Sequence, residues 1–283
     1  MTVVKWALSP AAAGSLLRNS IPEYMKDPRY GSFRWPDGQR GAVSLCWDDA
    51  RPSSVEVGVP ILDHYGIKGT FYALPRNMTR QLKKWRAAAA EGHEIGNHTI
   101  KHPCMGNFLS WQTPETMLEN YTLDRMKREI LEANRVLEAA VGVKPTSFAY
   151  PCAQTYVGRG TRLRSYIPLV ARLFEVGRSG FSETYASPER CDLAQVPSLD
   201  IDCKTFEQLR ALVGAAMADG CWLVLTGHEV GDGCVKQTTS AKALEKLCAY
   251  LKGRPDIWTD TVTAVGRHIA ALVKHPPIPA RLR

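Results

Sequence analysis

The residues best suited to chemistry fall in three places. Asp48 and Asp49 end the apolar run Ala42-Val43-Ser44-Leu45-Cys46-Trp47, and about fifty residues later comes Gly92-His93-Glu94-Ile95-Gly96-Asn97-His98-Thr99-Ile100-Lys101-His102. One carboxylate and two spaced imidazoles make a divalent-metal site. Neighbouring side chains on an extended chain point to opposite faces, so the second carboxylate is left free to act as a base. That combination reads as metal-assisted hydrolysis. The third place is His228, directly after the apolar run 221–226.

Elements that could position these groups follow from the pattern around them. Strands are predicted at 42–48, 69–74, 94–97, 146–150, 174–178, 221–226 and 257–259, about seven in all. Helices are predicted at 53–65 with a kink or break at Pro60, at 79–91, at 122–141 ended by Gly142, at 164–173, at 205–219, at 240–252 and at 262–273. The inward side of the 122–141 helix should carry Met126, Ile130, Val136 and Leu137. Alternating strands and helices imply a parallel sheet with right-handed crossovers, and seven such units are more naturally closed into a distorted (β/α)7 barrel than left open. Functional groups then belong at the strand C-terminal ends, where Asp48, His98, Pro151, Arg178 and His228 fall.

The bulk numbers agree with one such domain. The chain has 283 residues, 45% hydrophobic and 23% charged, which excludes disordered and fibrous classes. Residues 1–39, with Pro10, Pro22, Pro28 and Pro36, read as an irregular arm, 40–273 as the barrel and 274–283 as a tail. Lys and Arg total 36 against 28 Asp and Glu, but they are scattered, so a solvated basic surface is favoured over a nucleic-acid face. No stretch is long and apolar enough to span a membrane. The segment 7–17 is too short and interrupted for a signal h-region, so the chain as written reads as cytoplasmic, or as secreted or periplasmic if a leader preceded it. Phosphate-binding glycine motifs and fixed-period repeats are both missing.

Eight cysteines without a CxxC pair do not suggest a structural zinc knuckle, and most read as buried thiols. Cys104 and Cys152 each follow a proline beside one of the clusters above, which raises a bridge between them as a hypothesis. His93 reads as structural. Trp85 and Trp111 could be core or platforms in a groove.

Several motifs in the same order resemble the polysaccharide deacetylase family, the NodB-homology or carbohydrate esterase 4 group. They are Ser44-Leu45-Cys46-Trp47-Asp48-Asp49-Ala50, then His98-Thr99-Ile100-Lys101-His102, then the looser Ser147-Phe148-Ala149-Tyr150-Pro151-Cys152-Ala153 and Leu223-Val224-Leu225-Thr226-Gly227-His228-Glu229. The resemblance runs from about residue 40 to 273. It implies that Asp49, His98 and His102 hold a divalent ion, zinc first, with cobalt, nickel or manganese as alternatives. It also implies Asp48 as base, His228 as the acid that protonates the leaving group, and the Cys152 N–H as oxyanion donor. A carboxylate capping the next helix and a packed rim histidine are the plainer readings of Asp48 and His228. Tyr150 and Pro151 are candidates for the substrate wall.

The chain departs from the family in two respects. Ala149 stands where the family carries an arginine two residues before the motif proline, and Arg178 is the candidate to orient Asp48 instead. A counterpart to the fourth motif is not clear, Pro197-Ser198-Leu199-Asp200-Ile201-Asp202 being nearest, and it receives no role. The expected substrate is an acetylated glycan, with an N- or O-linked acetyl group. Two alternatives remain: an amidohydrolase of cyclic amides or ureides on the same barrel, and a catalytically silent glycan-binding barrel.

Overall fold

Seven short runs of buried, largely apolar residues pair side by side, all parallel, and the last pairs back onto the first. The computed structural model describes residues 33–108, 112–181, 184–233 and 237–273. Its strands are β1 Gly41–Asp49, β2 Thr70–Ala73, β3 Glu94–Asn97, β4 Ser147–Ala149, β5 Tyr156–Val157, β6 Arg164–Ser165, β7 Val176–Phe181, β8 Val196–Asp200, β9 Trp222–Gly227, β10 Glu229–Gly231, β11 Thr238–Ser240 and β12 Ile257–Thr259. The main sheet runs β12-β1-β2-β3-β4-β7-β8-β9, and β1 also pairs with β9. Strands β1, β2, β3, β4, β7, β8 and β9 therefore close the expected seven-stranded barrel. A parallel strand buried on both faces reads as a continuous apolar run, and β9 is buried throughout.

The seven are not the seven predicted. Residues 257–259 form β12, which sits outside the ring and pairs with Gly41–Val43 below the point where β2 takes up the same side of β1 at Cys46. The strand omitted is β8. Pro197 argues against a strand by the usual rule, and the pairing of β8 with β7 shifts register between Arg178 and Phe181.

Helix expectations hold best where caps are explicit. The Thr122 hydroxyl accepts from Arg125 N, the helix Leu123–Val141 follows, and Gly142 ends it at φ 79°. Its buried side is Met126, Ile130, Ala133, Asn134 and Leu137, while Val136 is only half-buried. In the 53–65 segment the chain stays helical past Pro60, with a π turn at Ser54–Gly58 leading directly into the helix Val59–His64. The 79–91 segment is a 3-10 turn Thr79–Gln81 and a helix Leu82–Ala90, preceded by a short helix Pro75–Met78 that was not predicted. The predicted helix from 164 begins at Ile167, because Arg164–Ser165 pairs antiparallel with Tyr156–Val157.

Trp47, Phe71 and Trp85 lie in the main apolar cluster between barrel and helices, so Trp85 is core. Trp111 lies outside the described residues, as do most of the predicted arm and the 274–283 tail. At the N-terminal end of the barrel Glu94 ties three elements together. Its carboxylate accepts from Thr70 Oγ1 at 2.9 Å and Thr263 N at 3.0 Å, and also from the Ser147 and Thr263 hydroxyls. Of the described residues, no helix is long and apolar enough to cross a membrane.

Candidate active site

The opposite, C-terminal end of the barrel opens into a cavity of about 670 Å³ whose lining includes Asp48, Asp49, His98, His102, Cys152, Arg178 and His228. Strand termini bring them there. Asp49 has left the extended region at φ 71°, turning its carboxylate towards the next strands. Its Oδ1 lies 3.8 Å from His98 Nε2 and 3.7 Å from His102 Nε2. Its Oδ2 accepts from Arg51 Nη2 at 2.8 Å and Nε at 3.0 Å.

His98 stands one residue past β3. Its Nδ1 is 2.9 Å from the Ala149 carbonyl, which can only accept, so Nδ1 carries a proton and Nε2 faces Asp49. The turn to His102 is fixed locally. Asn97 Oδ1 accepts from Thr99 N at 2.7 Å, Thr99 Oγ1 accepts from His102 N at 3.0 Å, and Glu129 Oε1 accepts from Lys101 N at 2.5 Å. Thr99 and His102 adopt positive φ. Burial, with the His98 ring second, pulls the His102 imidazole down to about 4, so it is neutral at pH 7. A carboxylate and two imidazoles whose ligand atoms all lie within 4.8 Å of one another fit a borderline divalent ion. These are the three residues that would hold it.

Asp48 is bound differently. Burial would raise its carboxyl, but the Arg178 guanidinium, which donates from Nη2 to Asp48 Oδ1, together with the His98 and His228 rings, outweighs that and holds it at about 2. Arg178 is buried within β7 rather than at its end. Nη1 donates to Ser179 O at 3.1 Å, the guanidinium carbon lies 4.9 Å from the Tyr72 ring centroid, and Nε has no hydrogen-bond partner. It comes from the strand next but two to β2, across the position that Ala149 leaves empty of charge.

After β4 the chain turns sharply, with φ 52° at Cys152 and 62° at Ala153. Among the described residues the Cys152 N–H has no protein acceptor, and Cys152 lines the cavity. Gly180 of β7 makes this turn possible, since a Cβ there would strike Ala153. Cys152 is disulfide-bonded to Cys104, while Cys46, Cys191, Cys221 and Cys248 are buried free thiols. Tyr150 reaches the cavity wall, but its hydroxyl donates to Ala194 O at 2.7 Å and its ring packs among Phe148 and Tyr166. Pro151 is buried outside the lining. His93 is structural in its contacts: its Nδ1 accepts from Gly69 N, and its Nε2 meets Asp63 Oδ1 at 3.0 Å.

His228 follows β9, with Nδ1 2.9 Å from Asp202 Oδ2. Burial would lower this imidazole, but the Asp202 hydrogen bond and the Asp48 and Asp49 charges raise it. Asp202 is the residue that sequence reasoning left without a role. Its other oxygen accepts from Thr239 Oγ1 at 2.8 Å. A carboxylate two residues beyond an alternating segment, in a chain needing a partner for His228, was the available signal. Arg51 went unread too; it joins Asp49 to Gln237 at 3.0 Å and Glu229 at 3.4 Å.

Residues 26–161 match the polysaccharide deacetylase family. A gellan lyase from a Bacillus species is 31% identical over 150 residues, 51% of this chain but 5% of its own length. The uncharacterized protein YlxY of Bacillus subtilis strain 168 is 30% identical over 109 residues, 38% of this chain and 29% of its own. The chain thus spans a minor part of either relative, and the lyase name is not carried over. Among solved structures, a candidate polysaccharide deacetylase from Mycobacterium smegmatis superposes with TM-score 0.62 at 20% identity, covering 87% of this chain and 98% of that one. The Puue allantoinase superposes with TM-score 0.62 at 15% identity, covering 92% and 99%. A family 4 acetyl xylan esterase from Clostridium thermocellum, in complex with a cobalt ion, gives 0.51 at 22%, covering 79% and 89%. These structures speak for the fold. The matching segment carries both the aspartate pair and the two-histidine turn, so over residues 26–161 the chain is similar to the polysaccharide deacetylase family.

Proposed function

We propose that this protein is a metal-dependent hydrolase that removes acetyl groups, N- or O-linked, from a polysaccharide or oligosaccharide. The observation that carries the reading is the convergence of Asp49 Oδ1 on His98 Nε2 and His102 Nε2 at 3.8 and 3.7 Å, with Asp48 and His228 on the same cavity. A divalent ion, zinc first among cobalt, nickel and manganese, would supply a more acidic water and polarise the acyl oxygen when held by Asp49, His98 and His102.

The chain's own groups divide the rest of the work. Asp48, kept ionised and oriented by Arg178, takes the proton from the attacking water. The Cys152 N–H, unpartnered and presented by a left-handed turn, donates to the acyl oxygen as negative charge develops on it. His228, charged more readily because Asp202 holds Nδ1–H, donates from Nε2 to the departing nitrogen or oxygen. Amide and ester acetyl groups both pass through a tetrahedral intermediate, so the same groups serve either.

Purified protein with zinc, incubated separately with acetylated xylan, chitooligosaccharides and a cyclic ureide, tests this. Acetate from a glycan is expected, and Asp48→Asn should cut it by about a hundredfold or more while keeping metal content. Ureide opening alone would favour a small-molecule amidohydrolase. Bound metal with no turnover of any of the three would favour a silent glycan-binding barrel.

A further inference from the structure

A second set of ligand-type side chains adjoins the first. His102, Cys104 and Cys152 offer atoms within 4.8 Å of one another. His102 presents Nε2 to Asp49 at 3.7 Å and Nδ1 to Cys104 Sγ at 3.5 Å. The two sets share one imidazole and use its opposite nitrogens. In the bridged form the sulfurs are spent on each other.

We propose that opening the Cys104–Cys152 bridge makes His102, Cys104 and Cys152 a zinc site that competes with the Asp49, His98 and His102 set; the competition rests on the ligand role given to His102 above. A dithiol supplies the electrons. Its thiolate attacks Cys152 Sγ, which belongs to a cavity-lining residue, and buried Cys104 leaves as thiolate. The second thiol then displaces Cys152 from the mixed disulfide, so the reductant departs as its own disulfide and the protein keeps two thiols. Zinc uptake releases their two protons.

Two thiolates and one imidazole are a softer donor set than two imidazoles and a carboxylate, and zinc accepts either with water completing the tetrahedron. In a tetrahedral zinc dithiolate the sulfurs stand about 3.8 Å apart, given Zn–S near 2.3 Å. Side-chain rotation from Cα atoms 6.2 Å apart reaches that separation. Exclusion follows from the ring. A neutral imidazole has one lone-pair nitrogen, so an ion on Nδ1 leaves the proton on Nε2, aimed at Asp49. Reduction therefore exchanges ligands and adds no second ion.

Cobalt(II) titrated into metal-free protein, bridged or reduced with a trialkylphosphine that is then removed, distinguishes the two sets. Both forms should bind one ion, and only the reduced form should show intense near-ultraviolet thiolate-to-cobalt absorption. Zinc should protect Cys104 and Cys152 of the reduced protein from alkylation, read by mass spectrometry. Cys203 is also in a disulfide, so the band must vanish in the C104S/C152S protein. A reduced protein without the band, or with Cys104 and Cys152 alkylated equally with and without zinc, overturns the proposal. So does uptake of two ions per reduced chain. Failure of the bridged form alone to bind cobalt counts against the Asp49, His98 and His102 reading, whereas the reduced band and the alkylation pattern decide the thiolate site.

Discussion

Asp202 shows how a single carboxylate can set the chemistry of a neighbour. It holds His228 Nδ1 at 2.9 Å and raises an imidazole that burial would depress. Asp202→Asn keeps the shape and removes the charge, so His228 should lose its proton at lower pH. The alkaline limb of the kcat profile should move down, and kcat at pH 8 should fall by about tenfold or more. An unchanged limb would remove Asp202 from the reaction. Arg178→Lys is the parallel test on Asp48. A lysine keeps the charge but loses the fork that meets both Asp48 and Ser179 O, so kcat should drop with metal content unchanged. The aspartate pair and the two histidines were legible because types and spacing alone mark them. Asp202 was not, since its meaning comes from β8, a strand hidden by Pro197, and Arg51 was not, since its partners Gln237 and Glu229 are remote in sequence.

The turn after β4 depends on β7 passing close behind it. Gly180→Ala puts a methyl group against Ala153, so the turn bearing the Cys152 N–H must shift. Loss of one oxyanion donor costs about a hundredfold in kcat, and that is the expected effect, with zinc binding retained because Asp49 ends β1 and His98 and His102 belong to the turn after β3. Parent-like kcat would disconnect that N–H from catalysis. Elements with their own signals were legible: the capped helix Leu123–Val141, and β9 with its unbroken burial. Those decided by partners far along the chain were not. Ile257–Thr259 looks as much like a barrel strand as any, and only the occupancy of β1 by β2 and β9 excludes it.

At the cavity end of the barrel Asp48 and Arg178 are buried, and stability inherits the titration of the carboxylates there. Asp48 sits at about 2 in the fold against an ordinary 3.8, and Asp49 is also lowered, with burial opposing and the His98, His102 and Arg51 charges prevailing. A depressed carboxyl stabilises the fold above its unfolded value and loses that as pH falls through the folded one. The metal-free protein should therefore lose stability between about pH 4 and 2, Asp48 alone contributing about 2 kcal/mol. His228, raised above 6.5, stabilises below that pH and stops doing so as pH rises through its folded value. Thermal melts from pH 2 to 9 should fall steeply on the acid side and slightly on the alkaline side; a flat acid side would mean that the Asp48–Arg178 pair is not formed.

All of these roles assume one ion between β1 and the turn after β3. Calorimetric titration of zinc into metal-free, bridged protein, wild type beside Asp49→Ala, measures that directly. Uptake of one ion by the wild type, weakened more than about a hundredfold in Asp49→Ala, is the expected result. Equal affinity in the two proteins, or no uptake by the wild type, would contradict it.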